Sequence, residues 1–205
     1  LSKLVKRDAA FLGAILFGLA PYHFLNVFIR GAFGETVGLA IVPFVFWQIE
    51  EIRNKNKILN VFIAGIMYGL LILAHNGTAI MFSPVFIMYC LFRLKNKINL
   101  VLFVASFLIG ILVSSYFWLP AVIESRYVEG SNAFLDMYKD HFPPFWYLIY
   151  SKWGFGPDVN VQDGLSPQVG IAIFIFVFIA VLNFFRHKVQ FIGFWLVTFF
   201  VAIYF

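Results

Sequence analysis

Within GLAPYHFLNVFIRGAFGET, residues 18–36, the side chains of His23, Asn26 and Arg30 recur at i, i+3 and i+7. On a continuous helix that spacing sets all three on one face, where they would converge. The flanking runs are apolar, and an ionisable group at membrane depth normally faces protein or a water-filled cavity. A polar binding pocket is the first expectation, with His23, Asn26 and Arg30 lining it. Glu35 follows Gly31 and Gly34, which let the chain bend, so spacing alone does not put its carboxylate on that face. The competing arrangement is plain anchoring, with Arg30 reaching lipid headgroups and pairing with Glu35 at the interface.

A second polar point is His75-Asn76-Gly77, in a tight turn between two apolar runs. An imidazole there can meet a phosphate. It can equally face water while Asn76 and Gly77 cap a helix. Asn76-Gly77-Thr78 also spells a glycosylation acceptor, which a turn this tight makes a poor one. The four histidines, His23, His75, His141 and His187, show no HxH or HExxH spacing, so nothing favours a zinc site. The sequence requires no cofactor and leaves a divalent metal open. It contains neither a P-loop nor a GxGxxG after a strand, and its basic residues are dispersed through short loops, which argues against nucleotide chemistry and nucleic-acid partners.

These groups must be positioned by very apolar elements. The 205 residues are 62% hydrophobic and 12% charged, with 28 phenylalanines best read as lipid-facing bias. Runs such as IAIFIFVFIAVL (171–182) are apolar on every side, which fits helices and not alternating barrel strands. The expectation is an all-α polytopic transmembrane bundle of about seven spans, near 9–25, 34–49, 58–74, 78–92, 98–120, 168–185 and 189–205. Residues 1–205 then form a single transmembrane domain.

Lysine and arginine give the orientation. Lys3, Lys6, Arg7, Arg53, Lys55, Lys57, Arg93, Lys95, Lys97, Arg186 and Lys188 fall at alternate span ends, which the positive-inside rule makes cytoplasmic together with the N-terminus. Polar stretches 26–35, 75–77 and 121–167 are then extracytoplasmic. The last is too long for a connector and carries FPPFWYLIY (142–150), suited to the membrane interface. Single Cys90 in an apolar run reads as a small buried residue. The chain begins with Leu1 and is still apolar at Phe205, as expected of an interior piece of something longer.

Four ordered blocks, APYHFLNVFIRGAFGE (20–35), LLILAHNGTAIMFSPV (70–85), YFWLPAVIESRYV (116–128) and WGFG followed by DGLSPQVG, resemble the membrane proteins called 6-pyruvoyl-tetrahydropterin synthase-related. That family is similar to the GT-C glycosyltransferases and to YfhO-like proteins. The resemblance implies a GT-C-like fold and transfer of a sugar from a polyprenyl-phosphate donor to a cell-envelope glycan, lipid or protein acceptor at the extracytoplasmic face. Such transfer needs a cation to hold the leaving phosphate and a carboxylate to orient or deprotonate the acceptor hydroxyl. On that basis Arg30 is the phosphate ligand, supported by His75, Asn26, His23 and Asn76. Glu35 and Asp163 are the candidate catalytic carboxylates, with Gly154, Gly156 and Gly164 shaping the loop. Two departures matter: the family commonly has an acid where this chain has Asn26, and its outer loop with a His-Asp pair would lie upstream of Leu1.

The alternative class is a transporter or flippase for a lipid or polysaccharide precursor, with the polar cluster binding a passing headgroup. Transporters tend to place ionisable groups near the midplane, whereas here they gather at one boundary. A non-catalytic membrane subunit is the third reading.

Overall fold

A computed structural model describes residues 5–55, 57–127, 143–155 and 164–204. The chain divides into two compact units, Leu1–Arg30 with Ala133–Phe205, and Gly31–Asn132.

The first unit opens with α1 (Arg7–Gly18) and α2 (Pro21–Phe24), followed by a π-helical turn, Leu25–Ile29. Pro21 starts α2 at a position where its missing N–H costs nothing. The unit continues with α8 (Phe145–Ile149), α9 (Ile171–His187) and α10 (Gln190–Tyr204). Gly170 caps α9 at φ +105°, a backbone that only glycine adopts without strain. No residue of α9 or α10 is buried, and Phe178 and Phe185 are 63% and 74% exposed.

The second unit holds α3 (Phe33–Lys55), α4 (Ile58–Ala74), α5 (Asn76–Arg93), α6 (Lys97–Val113) and α7 (Ser115–Glu124). Helices α4 and α6 meet backbone to backbone through Gly65, Gly69 and Gly110. A Cβ on Gly110 would lie 2.8 Å from the Gly65 carbonyl oxygen, so no larger residue fits without separating the helices. Beside this seam, Tyr68 stacks on Phe107 at 4.0 Å, and Phe86 is wholly buried. Between α6 and α7 the chain bends by 66° at Ser114. The Ser114 hydroxyl donates to the Gly110 carbonyl at 2.8 Å, and Trp118 Nε1 donates to that of Ile111 at 2.9 Å, so the bend keeps its carbonyls satisfied.

The described residues form helices without strands, but the expected bundle of about seven spans with a GT-C-like architecture is overturned. Among them one helix, Arg7–Ile29, is long and apolar enough to cross a bilayer, and the bent pair Lys97–Val113 and Ser115–Tyr127 adds one more only if counted as a single span. Length is the first reason. Helices α4 and α9 have 17 residues and α10 has 15. At about 1.5 Å per residue they reach roughly 22–25 Å, short of a hydrocarbon core of about 30 Å. Charge is the second: α3 has 23 residues but carries Glu35, Glu50, Glu51, Arg53 and Lys55.

Those charges build the ion-pair cluster of the second unit. The Glu50 carboxylate is 3% exposed and accepts from Arg93 Nε at 2.6 Å, Arg93 Nη2 at 3.0 Å, Tyr89 at 2.8 Å and Arg53 Nε at 2.9 Å. Burial pushes the Glu50 carboxyl up, but the hydrogen bonds from Arg93 and Tyr89 outweigh it and hold the group below its ordinary value. Stability from this group is therefore fully present above the unfolded value of about 4.3 and lost as pH falls through the lower folded value. Glu50→Leu alone, which strands Arg93, is expected to cost about 3–5 kcal/mol. Glu50→Leu with Arg93→Met should recover most of that loss in a denaturant titration. A double variant no more stable than the single one would refute the ion-pair account.

Candidate functional site

The π-helical turn decides how the residues of the first polar stretch are arranged. Its backbone bond runs from Arg30 N–H to the Leu25 carbonyl at 3.0 Å, one residue wider than an α-turn. Tyr22, Asn26 and Arg30 consequently align at four-residue steps. Arg30 Nη1 donates to Asn26 Oδ1 at 2.7 Å and to the Tyr22 hydroxyl at 3.1 Å. Asn26 is wholly buried, and its Nδ2 has no hydrogen-bond partner. Its Oδ1 holds an exposed guanidinium in one orientation at the end of the apolar helix Arg7–Ile29. Tyr22 precedes Asn26 and Arg30 by four and eight residues, a helical spacing that was the signal for it in the sequence.

His23 does not join that group. Its ring stands edge-on to Phe17 with centroids 4.9 Å apart, half-buried on the side of α1. The expected convergence of His23 with Asn26 and Arg30 assumed an unbroken α-helix, and the wider turn changes the face on which each residue falls.

In the second unit, His75 is itself the cap of α5. Its Nδ1 accepts from the Thr78 backbone N–H at 3.0 Å and lies 2.8 Å from the Thr78 hydroxyl. With Nδ1 accepting, the ring N–H is on Nε2. Asn76 is exposed, and its Oδ1 accepts from the Gly77 N–H at 2.8 Å. Glu35 lies half-buried in the first turn of α3, where a carboxylate suits the positive end of the helix. The same turn packs against the α4–α5 turn through glycine: a Cβ on Gly34 would sit 2.6 Å from the Ala74 carbonyl, and one on Gly38 3.3 Å from His75 Cβ. The α3 turn bearing Glu35 and the α4–α5 turn bearing His75 and Asn76 thus share one end of this unit.

Asp163 and Gly156 lie outside the described residues, whereas Gly154 and Gly164 are both buried. Among the described residues no group of three or more His, Cys, Asp or Glu side chains is placed to hold a metal. The sequence only partly signals the cluster around Glu50. Glu50 and Arg53 stand at a helical i, i+3 spacing that signals a pair, but Arg93 lies 43 residues away and reads as a loop cation.

Comparison of the chain with protein-family models, with curated proteins and with solved structures finds no match.

The His75 cap has a measurable worth. His75→Ala is expected to lower stability by about 0.5–2 kcal/mol, and His75→Asn, which keeps an acceptor at that position, should restore most of it in thermal melts. Equal loss in both variants would show that the ring packs but does not cap.

Proposed function

We propose that this chain is a membrane protein that binds a lipid-linked phosphate at the Arg30 end of its Arg7–Ile29 helix, and that it transfers the sugar of a polyprenyl-phosphate donor to a cell-envelope acceptor. The observation that carries the reading is the Arg30 guanidinium, held by Asn26 and Tyr22 at the end of the one described helix that by itself is long and apolar enough to cross a bilayer. A fixed planar fork of donors at that depth suits a phosphate at the lipid surface, and pre-orienting it lowers the entropy lost on binding. Lys6 and Arg7 at the other end of the helix favour a cytoplasmic N-terminus and an extracytoplasmic Arg30. By the same charge rule the polar stretch that begins at Asn26 is extracytoplasmic. The exposed aromatic flanks of α9 and α10 support further contact with lipid.

Sugar transfer, as opposed to phosphate binding alone, is supported by the resemblance of the four ordered blocks. In that reaction Arg30 stabilises charge on the departing lipid phosphate, Asn26 positions Arg30, and a carboxylate accepts the proton of the acceptor hydroxyl.

The test is transfer from a radiolabelled polyprenyl-phosphate sugar by the purified chain in liposomes. A charge-assisted hydrogen bond is worth about 1.5–3 kcal/mol, and about 1.4 kcal/mol is tenfold. Arg30→Ala should therefore lower transfer by about 10-fold to 100-fold, and Asn26→Ala should give a smaller loss through KM. Transfer unchanged in Arg30→Ala would overturn the site assignment.

A further inference from the structure

The second unit contains a groove that takes no part in the Arg30 site. It has a volume of about 520 Å³ and runs between α4, α5 and the bent α6–α7 pair. Its walls are Ile72, Ile80, Ile111, Phe117, Ala121 and Val122, and no charged side chain lines it. Sites for small ligands have about this size, with apolar walls and a few placed polar groups.

The donors around the groove decide what it would take. Ser83 donates its hydroxyl hydrogen to the Ala79 carbonyl at 2.5 Å, so the Tyr68 hydroxyl must be the donor in the 2.7 Å contact with Ser83 Oγ. Ser125 donates to the Val122 carbonyl and Trp118 Nε1 to that of Ile111. Each of these lining donors is satisfied within the protein. Asn76 differs: Gly77 N–H occupies its Oδ1, and the carboxamide NH2 remains to meet a ligand at the N-terminal edge of α5. Ser83 is two turns further along the same helix, about 10 Å away at 1.5 Å per residue.

We propose that this groove binds an uncharged lipid with one hydrocarbon chain, its ester carbonyl accepting from the Asn76 amide and its chain lying along Ile72, Ile80 and Val122 towards the Tyr68–Ser83 pair. An acceptor headgroup matches the Asn76 carboxamide at the edge of the groove. A hydrocarbon tail matches walls that offer no further polar partner. A charged headgroup would find no counter-charge in the lining, which favours the ester over a carboxylate or phosphate. The groove requires nothing from Arg30, so a failure of sugar transfer leaves this assignment standing.

The experiment uses the whole chain in maltoside micelles, titrated with a monoacylglycerol whose acyl chain is brominated. Bromine quenches tryptophan on contact, and Trp118 lines the groove. Saturable quenching is expected, and Trp118→Phe should remove most of it. Ala121→Phe, a change at an exposed wall position, should weaken binding at least tenfold with the circular-dichroism melt unchanged. Asn76→Asp should weaken it about fivefold, and the brominated free fatty acid should bind more weakly than the ester. Quenching that persists in Trp118→Phe overturns the proposal whatever becomes of the other variants. A carboxylate bound as tightly as the ester overturns the assignment of an uncharged ligand.

Discussion

The buried carboxylate of Glu50 is the constraint around which the second unit is organised. A charge that is 3% exposed is tolerable only if its oxygens are filled, and here Arg93, Tyr89 and Arg53 fill them. Because Glu50 is on α3 and two of its donors are on α5, the requirement fixes the axial register of one helix against the other. A slide of one turn, about 5.4 Å, would leave both a carboxylate and a guanidinium unpaired. Nearby, Asn60 and Asn99 donate to the Glu51 and Arg53 carbonyls at 3.4 Å, bringing the starts of α4 and α6 to the same end. Apolar packing alone is less selective of register, since Leu, Ile and Phe tolerate sliding better than a salt bridge does.

The unit is polarised as a result. Charged and amide groups gather where α3 and α5 end, and the opposite end, about 25 Å away along the 17 residues of α4, is capped by His75 and edged by Asn76. Between them the α4–α6 seam is made of glycine and aromatic rings. The groove opens beside that seam because α7 turns away at Ser114 and cannot continue to cover α4 and α5. Its lining is uncharged: Glu50, Glu51, Arg53, Lys55 and Arg93 pair at the other end, and Glu35, in the first turn of α3, is not part of the lining.

Several helix positions were legible in the residues, because an apolar run ends at a polar or glycine-bearing break, although the run 34–49 stops six residues short of Lys55 and 9–25 merges α1 with α2. Run 58–74 coincides with Ile58–Ala74, and 78–92 lies inside Asn76–Arg93. The membrane reading of those helices was not legible in the same way. Apolar composition signals burial in something apolar, but crossing also needs length, and α4, α9 and α10 stop short of it. The break within 98–120 was missed because Ser114-Ser115 is a mild signal inside an apolar run, where serine bonds back to the preceding turn and bends the helix.

The candidate site shows why spacing reaches only so far. Arg30 and Asn26 are brought together, as a shared face requires, and Tyr22 joins them at the same four-residue step, yet His23 turns to Phe17 and the turn before Arg30 is π-helical. Nothing in LNVFI announces that turn, since a π-bulge arises from one extra residue accommodated against tertiary packing and not from propensity. The same holds for His75. Its turn position was readable, but that the ring and not the Asn76 amide caps α5 depends on His75 lying in extended backbone at φ −160°, with its side chain folded back over Thr78. Sequence periodicity assigns residues to faces, whereas the hydrogen-bond role of each polar group follows from backbone departures of a single residue. Those departures lie at residues 25–29, 75 and 114, next to both the Arg30 cluster and the uncharged groove.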